Sequence, residues 1–341
     1  MVIKVRELCL RDGIQFEQGV VPTDVVIQAA LDFIRSGVTH LEMGSFVTEQ
    51  IEGMQDTPER ARRMNEHRKE ERVPTDFITS YLVAPSKKEP TKHLDRALAV
   101  LNPQYDELSI FIATGDAFSE GNLRMPVAKS LEIYQKIVEK ALANNFTVNA
   151  YLSGADCCPL NQGTITEALV VQRLQELLQI GVNGNLLVSS TTGLGVPKEK
   201  DRKNASLVNG GTAPLSVENL FNAIKSPRNN VPFDRIGYHP HDKDGAAIKL
   251  VQEAARQGVE IFDCSAGGLG GCTNAKKAPG NIATHDLYFA FHERQEQHKL
   301  PLVDFSIHSR AALKLFEALN LPSPFVHIQH AGQRGTGNFR G

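Results

Sequence analysis

A local pattern recurs along the chain, in which an amphipathic helical segment ends in glycine and a short apolar run follows. It occurs over 33–38, 178–182 and 254–259. Glycine supplies the left-handed residue that ends a helix, and the apolar run that follows predicts a buried strand. A repeated alternation of helix and strand is typical of α/β folds.

Eight strands are predicted, with helical segments between them. Apolar residues at alternating spacings of four and three predict core-facing helices over 126–145 and 164–180. This pattern predicts a single (β/α)8 TIM barrel. The alternative is an open doubly wound sheet, which is disfavoured because no G-x-G-x-x-G motif follows the first strand. The predicted strands are 3–10, 38–43, 77–83, 106–112, 146–152, 184–189, 235–240 and 259–264.

Two regions depart from this alternation. Residues 198–214 are polar and contain glycine, which predicts a long loop after strand six. The chain after Pro301 carries one predicted helix, 309–319, and an end rich in glycine and arginine. We therefore expect a barrel over 1–298 and a C-terminal helical and loop extension over 299–341, packed on the barrel.

Composition excludes several classes of protein. With 41% hydrophobic and 22% charged residues the chain is ordinary globular sequence. A net charge of −2 and the absence of tryptophan argue against nucleic acid as a partner. No run of 18 apolar residues is present, which argues against a membrane partner. The N-terminus shows no signal-peptide pattern, and the five cysteines include an adjacent pair, so we expect reduced thiols and a cytoplasmic location.

Candidate chemistry lies where the predicted strands end, because barrel active sites are built there. His239 and His241 are two residues apart on a predicted strand and therefore face the same side, as two ligands of one metal would. The alternative is a pair of buried histidines bonded to the backbone. Asp12 is either a third ligand or a turn residue before Gly13. Two imidazoles and a carboxylate suit Mg²⁺, Mn²⁺, Zn²⁺ or Fe²⁺.

A glycine-rich segment follows strand eight, with four glycines among residues 267–272. Such a segment either closes over a ligand or is a plain flexible turn. Cys272 at its tip is either placed for proton transfer or a small apolar residue.

Several of these motifs, in their order along the chain, resemble those of the metal-dependent lyase barrels. The likeness is to the 3-hydroxy-3-methylglutaryl-CoA lyases, within the superfamily that also holds the isopropylmalate and homocitrate synthases. The motifs are Arg11-Asp12-Gly13-Ile14-Gln15, Glu42-x-x-Ser45, Tyr151-x-Ser153, His239-x-His241-Asp242, Gly268-Leu269-Gly270-Gly271-Cys272 and Gly280-Asn281-x-Ala283-Thr284.

The resemblance implies roles for individual residues. Arg11 would stabilise the enolate oxygen of the departing thioester, and Cys272 would protonate the enolate carbon. Glu42, the third implied catalytic residue, would lie around the metal and the Arg11 side chain. Mg²⁺ or Mn²⁺, in preference to Zn²⁺, would be bound by hard oxygen donors and imidazoles. The implied metal ligands are Asp12, His239, His241 and Asn281, and the implied substrate-binding residues are Gln15, Ser45, Tyr151, Ser190 and Thr191.

This sequence also departs from the family pattern. Ser190 stands where the lyases carry an acidic residue, and a hydroxyl cannot act as a base near neutral pH. Asn149 replaces an arginine, and Lys243-Asp244 replaces a Thr-Tyr pair. Three outcomes are open: a neighbour such as Asp242 or Asp156 takes over, the substrate differs, or catalysis is lost. We favour a changed substrate.

The resulting expectation is a divalent-metal-dependent carbon–carbon lyase that cleaves a 3-hydroxyacyl-CoA or a related hydroxy acid by retro-Claisen or retro-aldol chemistry. One alternative is a Claisen-type enzyme that condenses an acyl-CoA with a 2-oxo acid. Another is a catalytically inactive barrel that acts as a binding protein. The expected partners are a small acyl-CoA or hydroxy-acid substrate and a second copy of the chain in a homodimer.

Overall fold

Eight parallel strands close into a barrel in chain order, which confirms the predicted (β/α)8 architecture. The structure is a computed structural model that describes residues 1–15, 17, 19–158, 165–204, 213–271, 279–292 and 298–324. The strands are Lys4–Glu7 (β1), His40–Phe46 (β2), Ile78–Val83 (β3), Asp106–Ala113 (β4), Val148–Ser153 (β5), Leu186–Ser190 (β6), Ile236–Pro240 (β7) and Ile261–Cys264 (β8).

Helices surround the barrel and follow the strands along the chain. The predicted glycine stops are confirmed, because Gly37, Gly181 and Gly258 all have positive φ at helix ends. Within the described residues the helices are Thr23–Ser36 (α1), Thr57–Lys69 (α2), Lys92–Leu98 (α3), Asp116–Leu123 (α4), Val127–Ala143 (α5), Glu167–Gln179 (α6), Val217–Lys225 (α7), Ala247–Arg256 (α8), Thr284–His292 (α9) and Phe305–Ala318 (α10).

The first strand is shorter than predicted. β1 ends at Glu7, and Cys9–Gly13 forms a single π-helical turn, so the predicted strand over 3–10 is too long. The buried Glu7 carboxylate accepts hydrogen bonds from the backbone amides of Cys9 at 3.1 Å and Ala266 at 2.8 Å. These bonds turn the chain at the end of β1 and join it to the segment after β8.

The second strand begins and ends later than the predicted 38–43, and it contains a bulge. Its pairing with β3 shifts between Glu42 and Gly44. A bulge adds one residue to the alternation of a strand. Glu42 and Ser45, three residues apart, both lie within the site described below.

The C-terminal helix α10 packs on α1. The rings of Phe33 and His308 lie 4.9 Å apart, and Lys314 Nζ lies 3.0 Å from Asp32 Oδ2. The helix begins at residue 305, earlier than the predicted 309. Asp304 caps it, because its carboxylate accepts from the backbone amide of Ser306 at 2.8 Å.

The two predicted loops are described in part. The segment 198–214 contains a 3-10 turn at Glu199–Asn204, and residues 205–212 lie outside the described residues. After β8 a short turn at Ala266–Gly268 leads to Gly271, and Cys272 lies outside the described residues. Among the helices described, none has the length and apolar character needed to cross a membrane.

Candidate active site

A cavity opens at the carboxyl ends of the strands, where the sequence places its candidate residues. Arg11 and Asp12 reach it from the turn after β1. Gly13 lets that turn pack against the end of β8, because a Cβ there would lie 2.9 Å from Ser265 Oγ and 3.1 Å from Leu269 Cβ. The Arg-Asp-Gly sequence therefore places two charged side chains at one point of the cavity.

Arg11 is fixed by two carboxylates. Its Nε donates to Glu42 Oε2 at 2.6 Å, and its Nη1 pairs with Asp12. Tyr151 Oη donates to the same Glu42 oxygen at 3.2 Å, and the Arg11 guanidinium lies 5.2 Å from the Tyr151 ring centre. Burial alone would lower the pKa of Arg11, but the charges of Glu42 and Asp12 raise it above its ordinary value. Arg11 is therefore a fixed cation at the cavity.

Asp12, His239 and His241 converge as the histidine spacing predicts. One candidate ligand atom from each lies within 4.8 Å of the others, and all three residues are buried. The two Nε2 atoms face each other at 3.2 Å. His239 Nδ1 contacts Asp263 Oδ2 at 3.1 Å and His241 Nδ1 contacts the Pro279 carbonyl at 2.8 Å. Because carboxylates and carbonyls only accept, both Nδ1 atoms carry a proton, and the two Nε2 atoms are the ones that face each other.

The charges around these three residues favour the protonation states that can bind a metal ion. Burial would raise the pKa of Asp12, but Arg11 and the two histidines lower it to about 2. Burial and the neighbouring His239 lower the pKa of His241 to about 4. At neutral pH these two side chains are therefore a carboxylate and a neutral imidazole.

Asn281 lies beside the trio. Its Nδ2 donates to Asp12 Oδ2 at 2.8 Å and to the Leu269 carbonyl at 2.9 Å. Its Oδ1 is buried and accepts no hydrogen bond in the described structure. A buried amide oxygen without a donor requires a partner. A carboxylate, two imidazole lone pairs and this oxygen fit a divalent cation.

Some of the predicted substrate-binding residues line the cavity. Gln15, Tyr151 and Thr191 do so, and Ser45 Oγ donates to Gln15 Oε1 at 3.0 Å. The Ser190 side chain instead donates to Asp156 Oδ2 at 2.6 Å. Asp242 accepts from the Ala247 amide at the start of α8, at 2.9 Å. Of the two acidic neighbours proposed for Ser190, the structure brings Asp156 to it.

Sequence reasoning missed a layer of charge beneath the cavity. Arg6 Nη2 donates to Tyr151 Oη at 3.1 Å, and its Nη1 lies 3.6 Å from Asp263 Oδ1. Arg6 thus lies between Tyr151, which donates to Glu42, and Asp263, which contacts His239. The available signal was a charged residue within a strand predicted to be buried, at Arg6 in β1 and at Asp263 in β8.

The apolar and polar walls of the cavity were also missed. Leu82 and Phe111 come from β3 and β4, and Phe118 and Asn122 come from α4. Leu82, Phe111 and Phe118 lack a charged or metal-ligating group, and Asn122 lies in a helix, so the search at predicted strand ends gave no signal for them. They form a wall lined largely by apolar side chains.

Comparisons with known proteins match this architecture. A model of the HMGL-like family matches residues 3–311. The chain is 27% identical over 288 residues to the cytoplasmic 3-hydroxy-3-methylglutaryl-CoA lyase of Mus musculus, covering 84% of this chain and 73% of that protein. It is 28% identical over 288 residues to the mitochondrial hydroxymethylglutaryl-CoA lyase of Gallus gallus, covering 84% of each.

Solved structures share the fold. The Bacillus subtilis HMG-CoA lyase has a TM-score of 0.77 at 24% identity, covering 96% of this chain and 97% of that one. An HMG-CoA lyase from Acinetobacter baumannii, solved with coenzyme A and 3-methylmalate, also has a TM-score of 0.77 at 24% identity, covering 100% and 98%.

Proposed function

The chain belongs to the HMGL-like family and is a carbon–carbon lyase, and from this premise we propose that it is divalent-metal-dependent and cleaves a 3-hydroxyacyl-CoA. The convergence of Asp12, His239 and His241 beside Arg11 carries the proposal. In the reaction the C3 hydroxyl gives its proton to a base, the C2–C3 bond breaks, the hydroxyl oxygen becomes a carbonyl, and C2 leaves as the enolate of an acyl-CoA. That enolate then takes up a proton.

Four residues would hold the cation: Asp12, His239, His241 and Asn281. A divalent cation, Mg²⁺ or Mn²⁺ with these donors, would supply Lewis-acid chemistry by lowering the pKa of a hydroxyl bound to it. Asp263 holds the proton of His239 on Nδ1, and the Pro279 carbonyl does the same for His241. Such contacts orient imidazoles for metal binding.

Arg11 would stabilise the charge that develops on the thioester oxygen. Its guanidinium reaches the cavity and is already oriented by Glu42. A fixed cation needs no reorganisation when charge develops, which makes it effective in catalysis. Because Glu42 is fully buried behind Arg11, we assign it the role of orienting Arg11.

The walls of the cavity would limit access of water to the enolate. Leu82 and Phe118 are almost completely buried and line the side contributed by β3 and α4. Gln15, Tyr151 and Thr191 supply hydrogen-bonding groups to the substrate from the remaining sides. Excluding water strengthens the electrostatic interactions in the site and suppresses premature protonation of the enolate.

Cys272 is the proposed proton donor. Gly271, the residue that precedes Cys272 in the sequence, lines the cavity. Cys272→Ser should retain metal binding and lower kcat by about 10²–10⁴-fold, which is the usual contribution of a positioned acid. Alkylation of the thiol should have the same effect, and bound substrate should protect against it.

The decisive experiment uses the purified full chain. It is stripped of metal by EDTA and tested with and without Mn²⁺ on a panel of 3-hydroxyacyl-CoA thioesters, with release of acyl-CoA followed by chromatography. We expect cleavage that needs the metal, and His241→Ala should lose Mn²⁺ binding in calorimetry. Full activity of the metal-free protein would contradict metal dependence. Condensation of acetyl-CoA with a 2-oxo acid, without any cleavage, would contradict the lyase assignment.

The acyl-CoA substrate class is supported by the coenzyme A bound to the Acinetobacter baumannii relative. The cytoplasmic location and the homodimer stay predictions. Gel filtration with light scattering measures the second of these directly.

A further inference from the structure

A buried carboxylate lies beside the cavity, and the mechanism above leaves it unused. Asp156 follows β5, and its Oδ2 accepts from Ser190 Oγ at 2.6 Å, Gly195 N at 3.0 Å and Thr192 Oγ1 at 3.2 Å. Its Oδ1 accepts from the Cys157 amide at 2.9 Å. Asp156 forms no salt bridge with any described residue, so hydrogen bonds alone compensate its buried charge.

Three of these four donors belong to residues 190–195, which we call the strand-six loop. Thr191 of this loop lines the cavity, and its Oγ1 accepts from the Gly154 amide at 2.9 Å. The Ser190 carbonyl accepts from the backbone amide of His241 at 3.2 Å. The strand-six loop therefore contacts both the substrate cavity and a metal-ligand residue.

The Asp156 carboxylate is the centre of this arrangement. Ser190, Thr192 and Gly195 are spread along the loop, and one oxygen atom binds all three. Burial raises the pKa of Asp156, and the hydrogen bonds from Ser190 and the Gly195 amide oppose that shift. Removing the acceptor would leave three buried donors unpaired, each at a free-energy cost of about 1–3 kcal/mol. The loop would then rearrange toward other partners.

We propose that Asp156 is a positioning residue of the active site, whose carboxylate holds Thr191 in the cavity and the Ser190 carbonyl on His241. The inference rests on the proposed function, because the loop matters to turnover only if this cavity binds the substrate. It also accounts for the serine at position 190. The Ser190 hydroxyl lies within hydrogen-bond distance of the carboxylate, so an acidic group is retained there and comes from the loop after β5.

The first test compares two buried aspartates. Asp156→Asn keeps the size of the side chain and replaces an accepting oxygen with a donor, so we expect kcat/KM to fall by about 10²-fold, as a misplacement of about 1 Å can cause. Asp106 is the matched control. It is buried at the start of β4, at the opposite end of the barrel, and accepts from the Thr79 hydroxyl and from the Asn102 amide at 2.8 Å. Asp106→Asn should lower the melting temperature and leave kcat/KM unchanged.

The second test moves the carboxylate. Asp156→Ala removes it, and Ser190→Asp alone places two carboxylates within hydrogen-bond distance, where like charges repel. Both single variants should lose activity. The double variant Asp156→Ala/Ser190→Asp restores one carboxylate at that point, and its kcat/KM should exceed that of either single variant about tenfold or more. A role in stability alone would not produce this recovery of kcat/KM.

The outcomes separate the inference from the proposed function. Equal kcat/KM in Asp156→Asn and the unmodified protein overturns the role of Asp156, and so does a double variant no more active than Asp156→Ala. If Asp156→Ala does not fold, the same measurement on Asp156→Asn decides alone. An unmodified protein that cleaves none of the thioesters with Mn²⁺ contradicts the proposed function itself, and the inference falls with it.

Discussion

The Nδ1 atom of His239 lies 3.1 Å from Oδ2 of Asp263, so Nδ1 carries a proton and Nε2 is the atom turned toward His241, 3.2 Å from its Nε2. A carboxylate behind an imidazole fixes the tautomer and raises the basicity of the metal-binding nitrogen. Asp263 is fully buried, so this contact is not shared with water. The ligand set therefore depends on a residue that never reaches the cavity.

Asp263→Asn should weaken metal binding. The amide is a weaker acceptor and has two orientations, one of which presents its NH₂ group to the imidazole and selects the wrong tautomer. Loss of such a partner costs about 10–100-fold in metal affinity. Isothermal titration with Mn²⁺ measures this directly, and Asp106→Asn is the control for removing a buried carboxylate elsewhere. Unchanged affinity would show that Asp263 does not orient His239.

The fold and the ligand trio were predictable because their signals are local. Helix-ending glycines, apolar runs and the two-residue spacing of His239 and His241 can each be recognised from a few neighbouring residues. The rule that barrel sites lie at strand ends then places Asp12 beside them without any knowledge of side-chain contacts.

The supporting residues were not predictable in the same way. Arg6 and Asp263 act on residues of other strands, and the contact of Arg6 with Tyr151 spans 145 positions of the chain. Their partners depend on which side chains face inward across the closed barrel. Asp156 was named from the sequence only as one of two candidates to replace the acid at position 190. The limits of β1 were also missed, since the bond from the Ala266 amide to Glu7 forms only after the barrel closes.

Arg6→Met should destabilise the protein strongly. The guanidinium is buried between Asp263 and Tyr151, and its removal leaves a buried carboxylate without its cation. Breaking a buried pair in this way costs about 3–5 kcal/mol in the free energy of unfolding. The matched control is Arg62→Met, because Arg62 pairs with Glu59 at the surface, where both side chains are more than half exposed. That change should cost at most about 1 kcal/mol. Equal losses in urea unfolding would contradict the assignment.

The stability of the protein should fall in mild acid through His285. Burial, together with the neighbouring His308, lowers the pKa of His285 to about 4, whereas an unfolded histidine has a pKa of about 6.5. Between these values the unfolded state binds more protons, so stability rises with pH and is lost as the pH falls from about 6.5 to about 4. Glu7 also faces this imidazole and opposes the shift.

His285→Gln tests this prediction by difference. The free energy of unfolding of the unmodified protein, relative to the variant, should be greatest above pH 7 and should shrink steadily toward pH 4. Titrating groups that do not interact with His285 are common to both proteins and cancel in the comparison. Urea unfolding at several pH values gives the measurement, and a difference that does not vary with pH would contradict it.

The last prediction concerns the substrate. Asp156 brings a carboxylate to Ser190, which removes one of the reasons for expecting an altered substrate. Two others remain. Asn149 is buried and donates to Glu107 at 2.7 Å, and Lys243 lies in an exposed pair with Asp244. Neither residue places a positive charge in the cavity.

Among the described residues that line the cavity, Arg11 is the one lysine or arginine, and two carboxylates already compensate it. A substrate with a free carboxylate therefore finds no uncompensated side-chain cation on the described walls. The carboxymethyl arm of 3-hydroxy-3-methylglutaryl-CoA is such a group. In 3-hydroxy-3-methylbutyryl-CoA a methyl group takes its place, and the apolar surfaces of Leu82 and Phe118 suit that group better.

We accordingly expect weak cleavage of 3-hydroxy-3-methylglutaryl-CoA and a higher kcat/KM for an analogue that lacks the free carboxylate. The two thioesters should be compared with the same protein preparation, in Mn²⁺, by the release of acetyl-CoA. Because the two thioesters differ only in that arm, the ratio of their kcat/KM values measures how much the cavity stabilises the carboxylate in the transition state. A kcat/KM above about 10⁴ M⁻¹s⁻¹ for 3-hydroxy-3-methylglutaryl-CoA, within the usual range of efficient enzymes, would refute this account of specificity. In that case a cation outside the described walls, or the metal itself, holds the arm.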